Sequence, residues 1–491
     1  MEENNLKTKV LKGFFWKFSE RISAQVVSLI VSIVLARLLL PEDYGAISLV
    51  TIFITIANVF VSDGFGAALI QKEDADNIDF SSVFFSGIFL SLVLYGALFF
   101  AAVPIAKFYN MPILVSVLRV LALRIPIAAV NSVQQAYVSR HMIFKKFFFA
   151  TLFGTIVSAF IGIGMAYKGF GVWALVGQYM SNTTIGTIVL WVTVKWRPEF
   201  VFSFDRIKGL LSYGWKILAQ SLLVTVYGNL RSLVIGKVYS SKDLAYYNKG
   251  GQFPNLIVTN VDSAISSTLF PAMSKAQNDT AQVRRITRKA VKISSYCLCP
   301  LLAGFAACSD SFVKIVLTEK WLPIVPYIRI LCIGLLLRPA QTATLQAIKS
   351  VGRSDTVLKM DIPIRLFGLV SIMVTVKFGV LFIAISEILV AVFGLLIYST
   401  NCDKILGYSM KQLFSDFMPN VLLALIMGAL VYSVQILSGG TNLATLLIQV
   451  SVGGVLYLFF SIATHNESFV FLMSELRNLL HIDNGKVSED K

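Results

Sequence analysis

Runs of about 20 mostly apolar residues, each closed by glycine, proline or a cluster of charge, follow one another along nearly the whole chain. That length is what an α-helix needs to cross the hydrocarbon of a bilayer, where every backbone N–H and C=O must be bonded within the segment. The windows fall near residues 20–40, 44–70, 80–103, 113–138, 147–167, 171–194, 209–239, 245–272, 290–309, 323–348, 357–377, 379–400, 418–437 and 442–463. The pattern predicts an all-α polytopic membrane protein of about 14 transmembrane helices. Composition agrees, with 56% hydrophobic and only 14% charged residues.

Charge then orients the chain. The 43 Lys and Arg against 27 Asp and Glu give a net charge of +16, which in a water-soluble chain suggests nucleic acid. Here about 28 of the basic residues fall in loops on the side that holds both termini, about 8 on the other side and about 7 within spans, as the positive-inside rule expects. No nucleic-acid partner is needed, and both termini are expected to be cytoplasmic. The first apolar segment continues into further spans without a small-residue cleavage site, so it is expected to be retained. Cys297, Cys299, Cys308, Cys332 and Cys402 are read as small hydrophobes. Trp16, Trp173, Trp196, Trp215 and Trp321 fall near span ends and are expected to anchor at the membrane interface. The connector at 195–216, with Phe202, Phe204, Ile207, Leu210 and Leu211, and the tail at 469–482 are expected to lie along the cytoplasmic face. The basic stretch at 275–292 is read chiefly as topogenic charge.

The chain repeats itself after roughly 200 residues. Trp16-Lys17 matches Trp215-Lys216, Arg37 matches Lys237, Asp43 matches Asp243, and VSDGFGAAL against NVDSAISST places Asp63 on Asp262. LRVLALRIP matches IRILCIGLLLRP, with Arg119 on Arg329 and Arg124 near Arg338. In both, a proline follows the deeper arginine, Pro126 and Pro339, and is expected to kink the span. The repeat predicts an N-lobe of six helices over 1–205, a C-lobe of six over 206–400, and two further helices with a cytoplasmic amphipathic tail over 401–491. Because six is even, the lobes share an orientation, which predicts a pseudo-two-fold along the membrane normal and a cavity between them.

Seven arginines fall within the windows: Arg37, Arg119, Arg124, Arg231, Arg329, Arg338 and Arg365. A cationic side chain at the bilayer centre costs about 2.5–3.5 kcal/mol on insertion scales, so seven lipid-facing ones would oppose insertion by roughly 20 kcal/mol. Arg37, Arg119 and Arg329 lie near helix ends, where snorkelling to the interface explains them equally well. Arg124, Arg231, Arg338 and Arg365 are deeper and are expected to face a cavity, the alternative being pairing with carbonyls or acids of neighbouring helices. The acids are fewer: Asp63, Asp262 and Glu387, with Glu20 and Asp361 near inner ends. Glu20 is read as a structural partner of Arg21, while Asp63 and Asp262 are candidate proton or sodium coupling sites. A cationic surplus of this kind suits an anionic ligand, because guanidinium forks match phosphate oxygens.

Catalytic signatures are missing. The sequence has no GxxxxGK loop followed by Ser or Thr, no metal-ligand spacing of His or Cys, and short outer loops, so we expect neither an enzyme nor a cofactor.

The segments ARLLLPEDYG, VSDGFGAALIQKED and AKFYNMP resemble those of the polysaccharide exporters of the multidrug/oligosaccharidyl-lipid/polysaccharide superfamily, especially the colanic acid and teichuronic acid exporter-like branch of O-antigen flippases. Arg37, Pro41, Tyr44, Gly45, Asp63 and Gly64 match its pattern. The likeness covers most of the chain. The resemblance implies a flippase of the bacterial inner membrane that moves an undecaprenyl-pyrophosphate-linked oligosaccharide from the inner to the outer leaflet by alternating access. It implies as partners a lipid-linked anionic glycan, membrane lipids, and the polymerase and glycosyltransferases of the same glycan. On the residues, Pro41 and Gly45 are expected to form the outer turn, with Arg37 just below it, at the cavity mouth or snorkelling. The alternative within transport is a cation-coupled multidrug exporter of the same superfamily, which calls for an acid-rich cavity. A membrane glycan polymerase or acyltransferase calls for an outer loop or an embedded His or acid constellation.

Overall fold

The structure, a computed structural model, describes the backbone of residues 2–72 and 74–474, and their side chains except at 2–12, 14, 63–68, 70, 71, 211–213 and 354. Sixteen α-helices carry almost all of it. They are α1 (Glu2–Leu38), α2 (Pro41–Gln71), α3 (Asn77–Tyr109), α4 (Ile113–Leu121), α5 (Arg124–Arg140), α6 (Lys145–Tyr167), α7 (Val172–Thr193) and α8 (Phe204–Val238). There follow α9 (Ser241–Lys275), α10 (Thr280–Phe312), α11 (Val325–Leu335), α12 (Arg338–Ser350), α13 (Ser354–Thr375), α14 (Val380–Leu406), α15 (Met410–Ser438) and α16 (Leu443–Ala463). Among the described residues there is no strand, and the fold is that of an all-α polytopic membrane protein.

Among the described residues, eleven helices or broken helices are long and apolar enough to cross a membrane. The three other long helices, α7, α9 and α13, fall outside that set, so the expected count of about 14 is not established by apolarity. Polar groups within them supply the reason. Gln178, Asn182 and Thr183 interrupt α7, Asn255, Asn260 and Asp262 interrupt α9, and Asp361 and Arg365 interrupt α13.

The span holding α4 and α5 is broken just before Arg124, and that holding α11 and α12 just before Arg338. Pro126 and Pro339 then sit within the first turn of α5 and α12, where a missing N–H costs nothing and the fixed φ suits helix entry. The order α1 to α7 thus recurs as α8 to α14, with the break at the same step.

Contacts divide the chain into two compact units, Met1–Ala245 and Tyr246–Lys491, so that α8 packs within the first. In the first unit α6 packs along both α7 and α1, α2 along α5 and α8, and α3 on α4 and α5. Small residues set the α6–α7 approach. A Cβ at Gly162 would come 2.8 Å from Gln178 Cβ, and one at Gly154 would come 3.0 Å from the Asn182 carbonyl oxygen. Asn182 Nδ2 donates across to Ser158 Oγ at 3.3 Å. In the second unit α10 packs on α15, α15 on α16, and α14 on α11, α12 and α13.

Charged networks fasten helix ends. Asp76 caps α3 in a capping box with Asp79, and the Asp79 backbone N–H holds the Asp76 carboxyl below its ordinary range. Buried Asp79 pairs with Lys72 at 2.6 Å and Arg206 at 3.5 Å. In the second unit Arg288 grips Asp416 through two bonds of 2.7 and 2.8 Å. Lys292 adds a contact at 3.2 Å and Tyr408 donates to the same carboxylate at 3.0 Å. Burial, then the Asp416 charge, pushes the Tyr408 phenol above its usual range. Part of the basic stretch at 275–292 therefore ties α10 to α15.

Several expectations are corrected. Trp321 is fully buried, edge-on to Tyr246 with ring centroids 6.1 Å apart, and is a core residue rather than an interfacial anchor. Gly45 lies inside α2 and not in the turn before it, because Pro41 already starts the helix. A Cβ on Gly45 would overlap the Ser241 carbonyl, so the residue serves a close approach of α2 to the start of α9. Glu20 pairs with Lys17 at 2.8 Å and accepts from Thr151 Oγ1 at 3.0 Å. The connector is split: Phe200, Phe202 and Phe204 are exposed, whereas Ile207 and Leu210 join a core with Leu69, Phe80 and Phe84. Its backbone is clamped to α3 by Ser81 and Ser82, each accepting at 3.0 Å from Glu199 N and Ser203 N. Leu211, Asp63 and Gly64 lie outside the residues with described side chains, and the tail beyond 474, with His481, lies outside the described residues. Among the cysteines four are buried and Cys297 is exposed.

Candidate functional site

The second unit pairs four of the singled-out residues, Arg338 with Asp262 and Arg365 with Asp361. Arg338 opens α12 and reaches Asp262 of α9, Nε to Oδ2, at 2.9 Å. Thr342, one helical turn on, donates to the other oxygen of Asp262 at 3.0 Å. On α13 Arg365 lies 3.6 Å from Asp361, an i,i+4 pair, and Asp361 accepts from Tyr398 of α14 at 2.9 Å. The break before Arg338 is what makes the bond to Asp262 possible, because it starts a new helix with a long basic side chain at its first position. Arg338 keeps about half of its side chain exposed, at 52%, against 16% for Asp262. A half-exposed guanidinium has donors left for a second acceptor while one carboxylate holds it in place. Glu387, also on α14, accepts from the Tyr247 hydroxyl.

The first unit places its basic residues differently. Arg124 opens α5 as Arg338 opens α12, but its Nε donates to the neutral Thr183 Oγ1 at 2.9 Å and its guanidinium lies 5.3 Å from the Tyr179 ring. Beside Thr183 opens a cavity of about 400 Å³, walled by α1, α2, α5, α6 and α7 and lined by Lys17, Glu20, Asn58, Asn131, Gln135 and Asn182 among others. Arg231 lies on α8, and Arg37 is exposed in the last turn of α1, where a cation suits the helix C-terminus. The coupling candidate Asp63 belongs to α2, with its side chain outside the description.

The shallower pair follows the repeat. Arg119 Nε donates to the Phe99 carbonyl at 3.2 Å with the guanidinium 4.1 Å from the Phe99 ring. Arg329 reaches the Ala306 carbonyl at 3.4 Å, pairs with Asp310 and lies 5.0 Å from the Tyr432 ring. These contacts anchor α4 to α3 and α11 to α10 and explain both residues without a ligand.

Thr342, Tyr398, Thr183, Tyr179, Asn58 and Asn131 were not singled out from the sequence. The available signal was polarity inside an apolar window, and it is diluted because other serines and threonines in these helices donate to carbonyls one turn back in the same helix, as Thr187 and Ser181 do.

Comparison with known proteins bears on the whole arrangement. The chain is 23% identical over 471 residues to the teichuronic acid biosynthesis protein TuaB of Bacillus subtilis (strain 168), covering 94% of this chain and 97% of that one. It is 22% identical over 350 residues to the succinoglycan biosynthesis transport protein ExoT of Rhizobium meliloti (strain 1021), covering 71% and 70%. Its fold matches the lipid II flippase MurJ in an inward closed conformation with a TM-score of 0.73, at 16% identity over 92% of this chain and 99% of that one. A family model described as polysaccharide biosynthesis protein matches residues 34–326, well over half of the chain, and the protein belongs to that family.

Proposed function

We propose that this protein is a flippase that carries a pyrophosphate-linked, lipid-anchored glycan from the inner to the outer leaflet of the bacterial inner membrane by alternating access, with both termini cytoplasmic. The observation that carries the reading is a pair of guanidiniums on consecutive helices, Arg338 held by Asp262 and Arg365 by Asp361, the latter carboxylate accepting also from Tyr398. A diphosphate offers several oxygens, and two forks held at fixed positions bind it better than flexible ammonium groups. The names of the relatives support the glycan, and the lipid substrate in the name of the structural neighbour supports the anchored form.

In this reading residues 1–205 and 206–400 are two lobes of six passages, and 401–491 adds two more. Arg124, Arg231, Arg338 and Arg365 are ligands of the head group, and Arg37 attends the cavity mouth. Asp262 holds Arg338 until a phosphate oxygen replaces it. The protein does no bond chemistry and requires no cofactor, and it hands its product to the polymerase and receives it from the glycosyltransferases of the same glycan. A cation-coupled drug exporter is disfavoured because a cavity for cationic drugs needs unpaired acids, whereas Asp262 and Asp361 are each engaged by an arginine.

Replacement of Arg124, Arg231, Arg338 or Arg365 by Gln is expected to lower glycan export while folded protein remains in the membrane. Lys at the same positions should restore part of it, since charge returns without the fork. Normal export in all four Gln variants would mean that these arginines are structural.

A further inference from the structure

The ends of α10, α15 and α16 meet at a polar pocket of about 550 Å³ that the arginine pair does not use. It is lined by Arg288 and Lys292 of α10, by Ser415 and Asp416 of α15, and by the turn at 464–468 that follows α16. Further along α15 the lining becomes apolar, at Leu422, Leu423 and Ile426. Leu422 and Ile426 are each 54% exposed, on a helix apolar enough to cross a membrane. A ligand that fills the pocket from end to end is therefore polar at one end and apolar at the other. The polar end carries surplus positive charge. Residues 280–292 hold Arg284, Arg285, Arg288, Lys289 and Lys292 and no acid, and the acids that pair with them are Asp416 and Glu467. Arg288 uses its Nε and Nη2 on Asp416 and keeps Nη1 on a side chain that is 40% exposed. Lys292 meets both acids, but Glu467 is 80% exposed, and a pair so open to water contributes little and is readily exchanged.

We infer that this pocket binds the head group of an anionic phospholipid, with an acyl chain lying along Leu422 and Ile426. The phosphate takes the place of Glu467 on Lys292 and accepts from Arg288 Nη1, while Asp416 goes on holding both cations in position. Topogenic charge alone explains the surplus of cations, but not why two of the five line a pocket with an apolar half. The proposed topology puts this end of the three helices on the cytoplasmic side, where basic pockets between transmembrane helices suit anionic head groups and each nearby Lys or Arg strengthens the attraction. A soluble phosphate ester has the same charge but leaves the apolar half of the lining uncovered. The size agrees, since about 550 Å³ is within the range of small-molecule sites. The inference needs that topology but not the flippase reading, and it stands whether or not the arginines of the second unit bind a diphosphate.

The test is lipid retention by full-length protein in detergent, read by native mass spectrometry, with phosphatidylglycerol and phosphatidylcholine of identical chains as the probes. Phosphatidylglycerol is expected to bind about tenfold more tightly, the preference that one or two basic groups give. Lys292→Gln and, separately, Ser415→Glu should abolish the preference. Glu467→Gln, which removes the competitor on Lys292, should enlarge it. Ser415 is exposed, so Ser415→Glu tests the charge without removing a bond of the Asp416 network and serves if Lys292→Gln does not fold. Equal retention of the two lipids by the wild type would overturn the inference, as would a preference that survives Ser415→Glu unchanged or fails to rise in Glu467→Gln. Loss of both lipids alike in Ser415→Glu would mean that the pocket takes chains without reading the head group. Displacement of phosphatidylglycerol by glycerol 1-phosphate at equal concentration would replace the lipid with a soluble phosphate ester.

Discussion

Asp416 illustrates how a single residue works in this protein. Its side chain is almost fully buried at the end of α15, yet it accepts from Arg288 twice, from Tyr408 and from Lys292, so its lone pairs are filled and its charge is balanced. Asp416→Ala leaves the Tyr408 hydroxyl and both cations without that acceptor. Because Arg288 remains 40% exposed and can turn to water, the expected cost is about 2 kcal/mol rather than the larger figure for a closed pair. A clear drop in the thermal unfolding midpoint of the purified protein is expected, with Asp416→Asn losing less because it keeps an acceptor for Tyr408. An unchanged midpoint in the Ala variant would show that the network contributes nothing. The same logic separates Arg329, satisfied by Asp310 and a carbonyl, from Arg338, whose side chain is half exposed beside Asp262.

At the scale of elements, the helices sort by how they meet neighbours. Within a bilayer the hydrophobic effect does not press helices together, so close approach and interhelical hydrogen bonds must do it. The α6–α7 pair uses both, through Gly154 and Gly162 and through Asn182 to Ser158. Gly162→Leu should force the pair apart at Gln178 and cost about 1–3 kcal/mol, as overpacking does. Gly164→Leu on the same helix is the control, since a Cβ at Gly164 meets nothing within 4 Å. Thermal unfolding of the two variants should differ, and equal midpoints would sink the close-packing account. The same pair also shapes the cavity wall, because Asn182 and Thr183 project from α7 where α6 holds it.

For the molecule as a whole the open question is energy. A diphosphate carrying about two negative charges, moved outward across an inside-negative membrane, gains roughly 4.6 kcal/mol per 100 mV if both charges cross the full field. The rival is ion coupling through Asp63 or Asp262. Both oxygens of Asp262 are engaged, one by Arg338 and the other by Thr342, which favours a standing ion pair over an ion carrier. In vesicles with reconstituted protein and lipid-linked substrate, a potassium potential set by valinomycin is expected to drive translocation without any proton or sodium gradient. Translocation that ignored the potential, followed an imposed ion gradient and lost that dependence in Asp63→Asn or Asp262→Asn would falsify the potential-driven account.

The sequence by itself determined that the chain is a membrane protein of many helices, that its order of elements repeats, and that Arg124 and Arg338 occupy equivalent places before a proline. Each of these follows from local physics: hydrocarbon admits only long, internally bonded apolar segments, and proline prefers the first turn of a helix. What the sequence could not determine is which charged residue meets which. Arg338 finds Asp262 across 76 positions of chain and Arg124 finds Thr183 across 59, and no spacing rule reaches that far. Trp321 was misplaced for the same reason, since a tryptophan at a span end is at the interface or in the core according to what packs over it, here Tyr246. The polar cavity was hidden altogether, because its lining comes singly from five helices and becomes a site only when tertiary packing gathers it.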